Sequence, residues 1–184
     1  MTTPARIPGF PGEYLWELDL VTRQLVAMAE ALPASKFSWR PDPVARPVSA
    51  VLVHVAAGNF MLLEAVGVPV PADFYGQVSG EGQDRIWALV RKNDELEASM
   101  LEKGPVVDML KRSLAAVRES FSQCGDADLD RPLHFFGEDT TVRRVYLRLL
   151  AHAHEHMGQM IAYFRCNNLA PPWPDWRPDR RSQS

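Results

Sequence analysis

The sequence predicts an all-α protein, a four-helix bundle with one long crossover loop. Four stretches of about 18 to 25 residues repeat apolar residues at intervals of three and four, the period of a helix with one buried face. Almost nothing alternates with the period of a strand. A Pro-rich segment between the first two stretches is too long for a tight antiparallel turn, so it crosses the end of the bundle.

The first helix is expected from about Glu13 to Leu32, with Leu15, Leu18, Thr22, Leu25, Ala29 and Leu32 on its buried face and Pro33 as its stop. Pro33 to Pro47, with Pro41 and Pro43, is the crossover. A second helix starts near Pro47 or Ser49 and stops at Gly67, since Pro suits a first helical turn and Gly the position after the last. The segment from Val68 to Gly76 reads as irregular, and Gly76 to Gly82 as mobile. Asp84 to Glu102 is compatible with a helix that is apolar at its start (Ile86, Trp87, Leu89, Val90) and charged thereafter. The third long helix begins at Gly104-Pro105, carries Val107, Leu110, Leu114, Val117 and Phe121, and ends at Gly125. Asp126 to Glu138 reads as loop, with Leu133 to Gly137 as a short extended piece. Asp139 or Thr140 caps the last helix, which runs to about Cys166 before Asn167-Asn168 and Pro171-Pro172. The expected organisation is an N-terminal extension over 1–12, the bundle over 13–168, and a Pro/Trp/Arg-rich tail over 169–184.

Composition narrows the function. The chain has 184 residues, 46% hydrophobic and 23% charged, with net charge -3, which suits one domain with a real core. The charges are interspersed, so nothing marks a nucleic-acid surface; the basic cluster from Arg177 to Arg181 contains Asp179 and reads as a solvated terminus. Two cysteines, Cys124 and Cys166, are too few for a disulfide framework. No secretory signal and no run of about 20 apolar residues is apparent, so the expectation is a cytoplasmic protein that binds neither membrane nor nucleic acid.

The chemistry-bearing residues are histidines. His152 and His156 lie one helical turn apart on a face read through Val142, Val145, Leu149, His152, His156, Gln159 and Tyr163. His54 occupies the seam Val51, His54, Gly58, Met61 and Ala65 on another helix. An imidazole in an apolar seam has a donor and an acceptor to satisfy, and leaving one unpaired costs roughly 1–3 kcal/mol. A divalent cation shared by three such rings removes that cost. Three ligands leave a coordination position open for water, whose pKa falls, or for a thiol, which loses its proton. Imidazole suits zinc, nickel, copper or iron, with zinc or nickel favoured and manganese a further option. Gln159 and Glu155 flank the pair, and Asn59 and Tyr163 are further polar neighbours for the ion or a substrate. His154 falls on the opposite side of the helix and reads as a surface or subunit-contact residue, and His134 lies in a loop. A lone histidine on an apolar face is more often a satisfied core residue than a ligand; it is the coincidence on two seams that points to metal. HExxH, GxSxG and a Gly-rich phosphate loop are absent.

Three places in the chain resemble the DinB-like superfamily, the DinB/YfiT-like metalloenzymes. They are the Trp39-Arg-Pro41 loop followed by Pro47 to His54, the stretch from Asn59-Phe to Gly67 with its Pro-containing loop, and His152-Ala-His-Glu-His156-Met-Gly-Gln159, which looks like the family's HxxxHxGQ signature. The resemblance covers about residues 10 to 173 and departs at Met157, where the family often has Arg. It implies a bundle of unusual connectivity, a divalent metal on His54, His152 and His156, and a homodimer. It also implies a transferase or isomerase using a low-molecular-weight thiol such as bacillithiol or mycothiol. The functional expectation is therefore a metal-dependent thiol S-transferase acting on a small electrophile. Its alternatives are a metal-dependent hydrolase, with Glu64 or Glu155 as base, and a non-enzymatic dimeric stress or interaction protein whose metal is structural.

Overall fold

In the computed structural model, which describes residues 9–173, the chain forms helices α1 (Gly9–Ala31), α2 (Val48–Val66), α3 (Ala72–Tyr75), α4 (Gly82–Ser99), α5 (Lys103–Ser122) and α6 (Asp126–Leu129). A hairpin of β1 (Pro132–Phe135) and β2 (Glu138–Thr141) leads directly into α7 (Val142–Cys166). Helices α1, α2, α5 and α7 make the four-helix bundle. Within the bundle both α1 and α2 pack on α5 and α7 rather than on each other, so these two successive helices lie diagonally and the segment between them is a true crossover. The basic tail and most of the N-terminal extension lie outside the described residues.

Helix α1 buries Leu15, Leu18, Val21, Leu25, Met28 and Ala29. Its stripe thus runs through Val21, and Thr22 is only half-buried. Each such aliphatic side chain contributes about 1.5–3 kcal/mol on full burial. Helix α2 is the centre of the molecule. By length and composition it is apolar enough to cross a membrane, but 78% of its most apolar window is buried inside the protein, against α4, α5 and α7. Pro47 caps it without a side-chain acceptor. The crossover does that work instead: Val48 N–H donates to Trp39 O (3.0 Å) and Ser49 N–H to Phe37 O (2.9 Å), satisfying orphan amides of the first turn. Gly67, at φ 103°, closes α2 in the left-handed conformation that favours glycine.

Three features sharpen or correct the sequence expectation. The charged segment after Gly82 is a full 18-residue helix, α4, laid against α2 outside the bundle. Its buried residues, Ile86, Leu89, Asn93 and Leu96, form a helical stripe, but Asn93 is polar and charged residues surround it, which masks the period. The loop before the last helix contains α6 and a four-residue hairpin pair, with Phe135 opposite Glu138. The two-residue turn is Phe136-Gly137, both with positive φ (50° and 82°), where Asn-Gly is the usual signal. A bulky residue there costs roughly 1–2 kcal/mol. Finally, Thr141 rather than Asp139 or Thr140 caps α7, its Oγ1 accepting from Arg144 N–H at 3.4 Å, because the strand β2 runs through Thr141 and the helix starts only at Val142.

Candidate metal centre

Helices α2 and α7 bring the three seam histidines together. Ring centroids lie 4.9 Å apart for His54–His152, 4.8 Å for His54–His156 and 4.6 Å for His152–His156, all edge to face. One ligand atom from each residue lies within 4.8 Å of the others. A zinc–nitrogen bond is about 2.0–2.1 Å, so drawing the rings onto one ion needs each to move by less than about 1 Å. His152 is buried, and His54 and His156 are half-buried.

Two of the rings are held from behind. His54 Nδ1 lies 2.5 Å from Glu97 Oε1 on α4. An ionised carboxylate only accepts, so Nδ1 carries the proton and Nε2 is left as a lone pair. His156 Nδ1 donates to Gln159 Oε1 at 2.8 Å, which leaves its Nε2 in the same condition. The supports join into one network. Gln159 Nε2–H donates to Tyr163 Oη (3.1 Å), Tyr163 donates to Arg46 O (2.9 Å), and Arg46 Nε donates to Glu97 Oε2 (2.7 Å). Trp39 packs edge-on against the Tyr163 ring, so the crossover loop completes the arrangement. Burial alone would raise the Glu97 carboxyl, but hydrogen bonds from His54 and Arg46 outweigh it and hold it below the ordinary carboxylate value.

His152 differs. Its Nδ1 is buried without a hydrogen-bond partner. Burial, then the neighbouring His156 and His54, push its pKa down to about 3; burial also lowers that of His156 against its hydrogen bond to Gln159. His152 and His156 are therefore neutral near pH 7, the state in which imidazole binds metal. The ring sits against Gly58, where an added Cβ would fall 2.7 Å from His152 Cε1. Gly58 thus makes room for the ring itself. An orphaned buried nitrogen beside two rings braced through Nδ1, each ring offering an atom within 4.8 Å of the others, fits a divalent cation.

Above the cluster is a cavity of about 410 Å³. His54, Gly58, Met61 and Leu62 of α2, His152, Arg148, Val145 and Arg144 of α7, and Glu97, Asp94, Asn93 and Val90 of α4 wall it. The hairpin contributes Phe135, Phe136, Glu138 and Thr140.

Other expected residues fall elsewhere. Asn59 is buried and donates to Ser113 Oγ (3.2 Å), tying α2 to α5. Glu155 is exposed and gripped by Arg148 at 2.8 Å. Glu64 pairs with Arg85 and accepts from Val70 N–H, so neither proposed base is free. His134 bonds Asp139 across the hairpin at 2.8 Å, and His154 lies 3.8 Å from Glu17 on α1, both away from the cluster. Sequence reasoning missed Glu97 and Arg46, because an acidic residue in a charged helix and an arginine in a loop look solvated. The visible trace of Glu97 was polar substitution at Asn93 and Glu97, four apart on one face of a helix otherwise apolar there.

The model of the DinB superfamily matches residues 17–160. Among solved structures, a DinB-like protein from Bacillus cereus is 19% identical, with a TM-score of 0.66 over 88% of this chain and 95% of that one. A conserved protein from Enterococcus faecalis is 14% identical (TM-score 0.65; 86% and 97% covered). YfiT from Bacillus subtilis, described as a probable metal-dependent hydrolase with an unusual four-helix bundle topology, is 11% identical (TM-score 0.60; 92% and 95%). At these identities the likeness is one of fold. No curated protein matches.

Proposed function

We propose that this chain, which belongs to the DinB superfamily, is a divalent-metal-dependent enzyme whose ion is held by His54, His152 and His156, and that it transfers a small thiol onto an electrophile. The observation that carries the metal reading is the contrast within the triad: two rings braced through Nδ1 by Glu97 and Gln159, and a third buried with Nδ1 unpartnered. Zinc or nickel suits three imidazoles. Such an ion, when bound, lowers the pKa of a coordinated thiol or water.

The residues divide the remaining work. Glu97 and Gln159 fix the tautomer and orientation of their histidines and make them more basic. Tyr163 and Arg46 hold those two supports to each other. Met61, Leu62, Val90 and Val145 keep the cavity above apolar, which favours a thiolate attacking carbon over competing water. In the transfer a sulfur–carbon bond forms, the leaving group departs with its electron pair, and the thiol proton passes to solvent through the cavity mouth. No protein base is needed for this. Hydrolysis needs one, and Glu64, Glu155 and Glu97 are all engaged in ion pairs. Asp94 lines the same cavity and keeps hydrolysis as the second reading.

Elemental analysis of the purified protein, with His156→Ala as control, tests the metal. One equivalent bound by the parent and none by the variant is expected; equal loading of both sinks the site. Turnover is then measured with small thiols and a chlorinated aromatic electrophile. Thiol-dependent turnover that survives Asp94→Asn supports transfer. Thiol-independent ester or amide cleavage abolished by Asp94→Asn would replace it with hydrolysis.

A further inference from the structure

We propose that the tip of the β1–β2 hairpin sets the specificity of this cavity, and that the cavity takes small molecules with a flat aromatic body and a polar head directed at the histidines. This rests on the metal reading above only for what the head meets. Three observations point to it.

The first is the turn. Phe136 holds φ 50° and Gly137 φ 82°, a two-residue connection in which both positions lie in the left-handed region. Glycine, asparagine or aspartate take the first position readily; a phenylalanine is strained there. The second is where the ring goes. It does not reach the core: Phe136 is 43% exposed and Trp87, which meets it edge-on at 5.5 Å, is 47% exposed. Phe136 instead lines the cavity beside Phe135, whose ring lies 4.4 Å away, and Trp87 on α4 buttresses it. Strain that gains only partial burial, outside the core, is accounted for by a surface the ring presents to a ligand.

The third is shape. Along α7 the cavity wall runs from His152 to Arg144, about 12 Å at 1.5 Å per residue. The histidines stand at one end and the hairpin follows the other. A volume of about 410 Å³ holds one or two fused rings with a polar head. Between the ends Met61, Leu62, Val90 and Val145 offer a ring an apolar face, beside the polar Asn93, Asp94 and Arg148.

Calorimetry on zinc-loaded protein compares acetohydroxamate, a metal-binding head alone, with 2-naphthohydroxamate, the same head on a fused ring. In parallel, 2-naphthol is titrated into chelator-treated protein. The naphthyl compound should bind at least about tenfold tighter than acetohydroxamate. Phe136→Asn should bring the two within about twofold, weaken 2-naphthol about tenfold, and leave acetohydroxamate unchanged. Because asparagine suits the turn, the variant should melt no lower than the parent. Equal affinity of the two hydroxamates, or an aromatic preference that survives Phe136→Asn, overturns the proposal while leaving the metal intact. A lower melting temperature with unchanged preference makes Phe136 a structural residue and also overturns it. If zinc does not load, the metal reading falls, and the 2-naphthol titration alone decides this one.

Discussion

Helix α7 carries two buried polar groups with opposite fates. Tyr146 lies at the end of the helix that packs on α1 and α5. Its hydroxyl meets Ser120 Oγ at 2.6 Å, its carbonyl accepts from Tyr14 Oη at 3.0 Å, and Tyr14 stacks on Phe121 with centroids 3.9 Å apart. His152, less than two turns further on, has a buried nitrogen with no partner and a glycine cleared away beneath its ring. A polar group satisfied within the protein reports on folding; one left unsatisfied beside two braced ligands and a cavity reports on something to be bound.

Replacing each group tests that contrast. The largest effect is expected for His152→Leu, which should abolish metal binding yet leave the metal-free protein no less stable, since it removes an orphaned buried nitrogen worth about 1–3 kcal/mol. Zinc titration and denaturant melts of the apo forms measure both, and a large apo destabilisation would erase the distinction. Glu97→Gln comes next. It keeps the shape but weakens the bracing of His54, so affinity for zinc should fall roughly 10- to 100-fold with little change in apo stability. An unchanged dissociation constant would remove Glu97 from the site.

Acidification bears on the histidine region. His152 titrates near 3 in the folded chain against an ordinary value of 6.5, so below about pH 6.5 the unfolded chain binds a proton that the folded one refuses. Apo stability should therefore fall as pH drops from 6.5 towards 3, by about 1 kcal/mol per unit from this residue. The depressed His156 and Glu97 act with the same sign. Melting curves of parent and His152→Leu across that range should diverge from the acid side. The smallest effect is expected at the other region: Tyr146→Phe should cost about 1 kcal/mol and leave zinc affinity unchanged, as thermal melts and the same titration would show.

How far the site could be read beforehand follows the same division. The seam through Val145, Leu149, His152 and His156 was legible because all its members stand on one helix, where spacing alone determines the face. Gly58 was legible as a member of the His54 seam, but not as the floor beneath His152, which belongs to another helix. Glu97 is 43 residues from His54 and carries no local mark of its hydrogen bond. The hairpin hid behind a Phe-Gly turn that lacks the usual signal, and Glu155 looked well placed until Arg148 was seen to hold it.

By itself the sequence determined the helical class, the crossover, the four long helices of the bundle and the pair of imidazoles one turn apart, since each is written in residues within a few positions of one another. The packing alone decided that α4 covers α2, that Glu97, Arg46, Tyr163 and Gln159 close into one supporting network, and that Phe136 overlooks the cavity. Periodicity is enforced by the backbone within a turn. Which faces meet is set by burial summed over the whole chain, and no short stretch contains it.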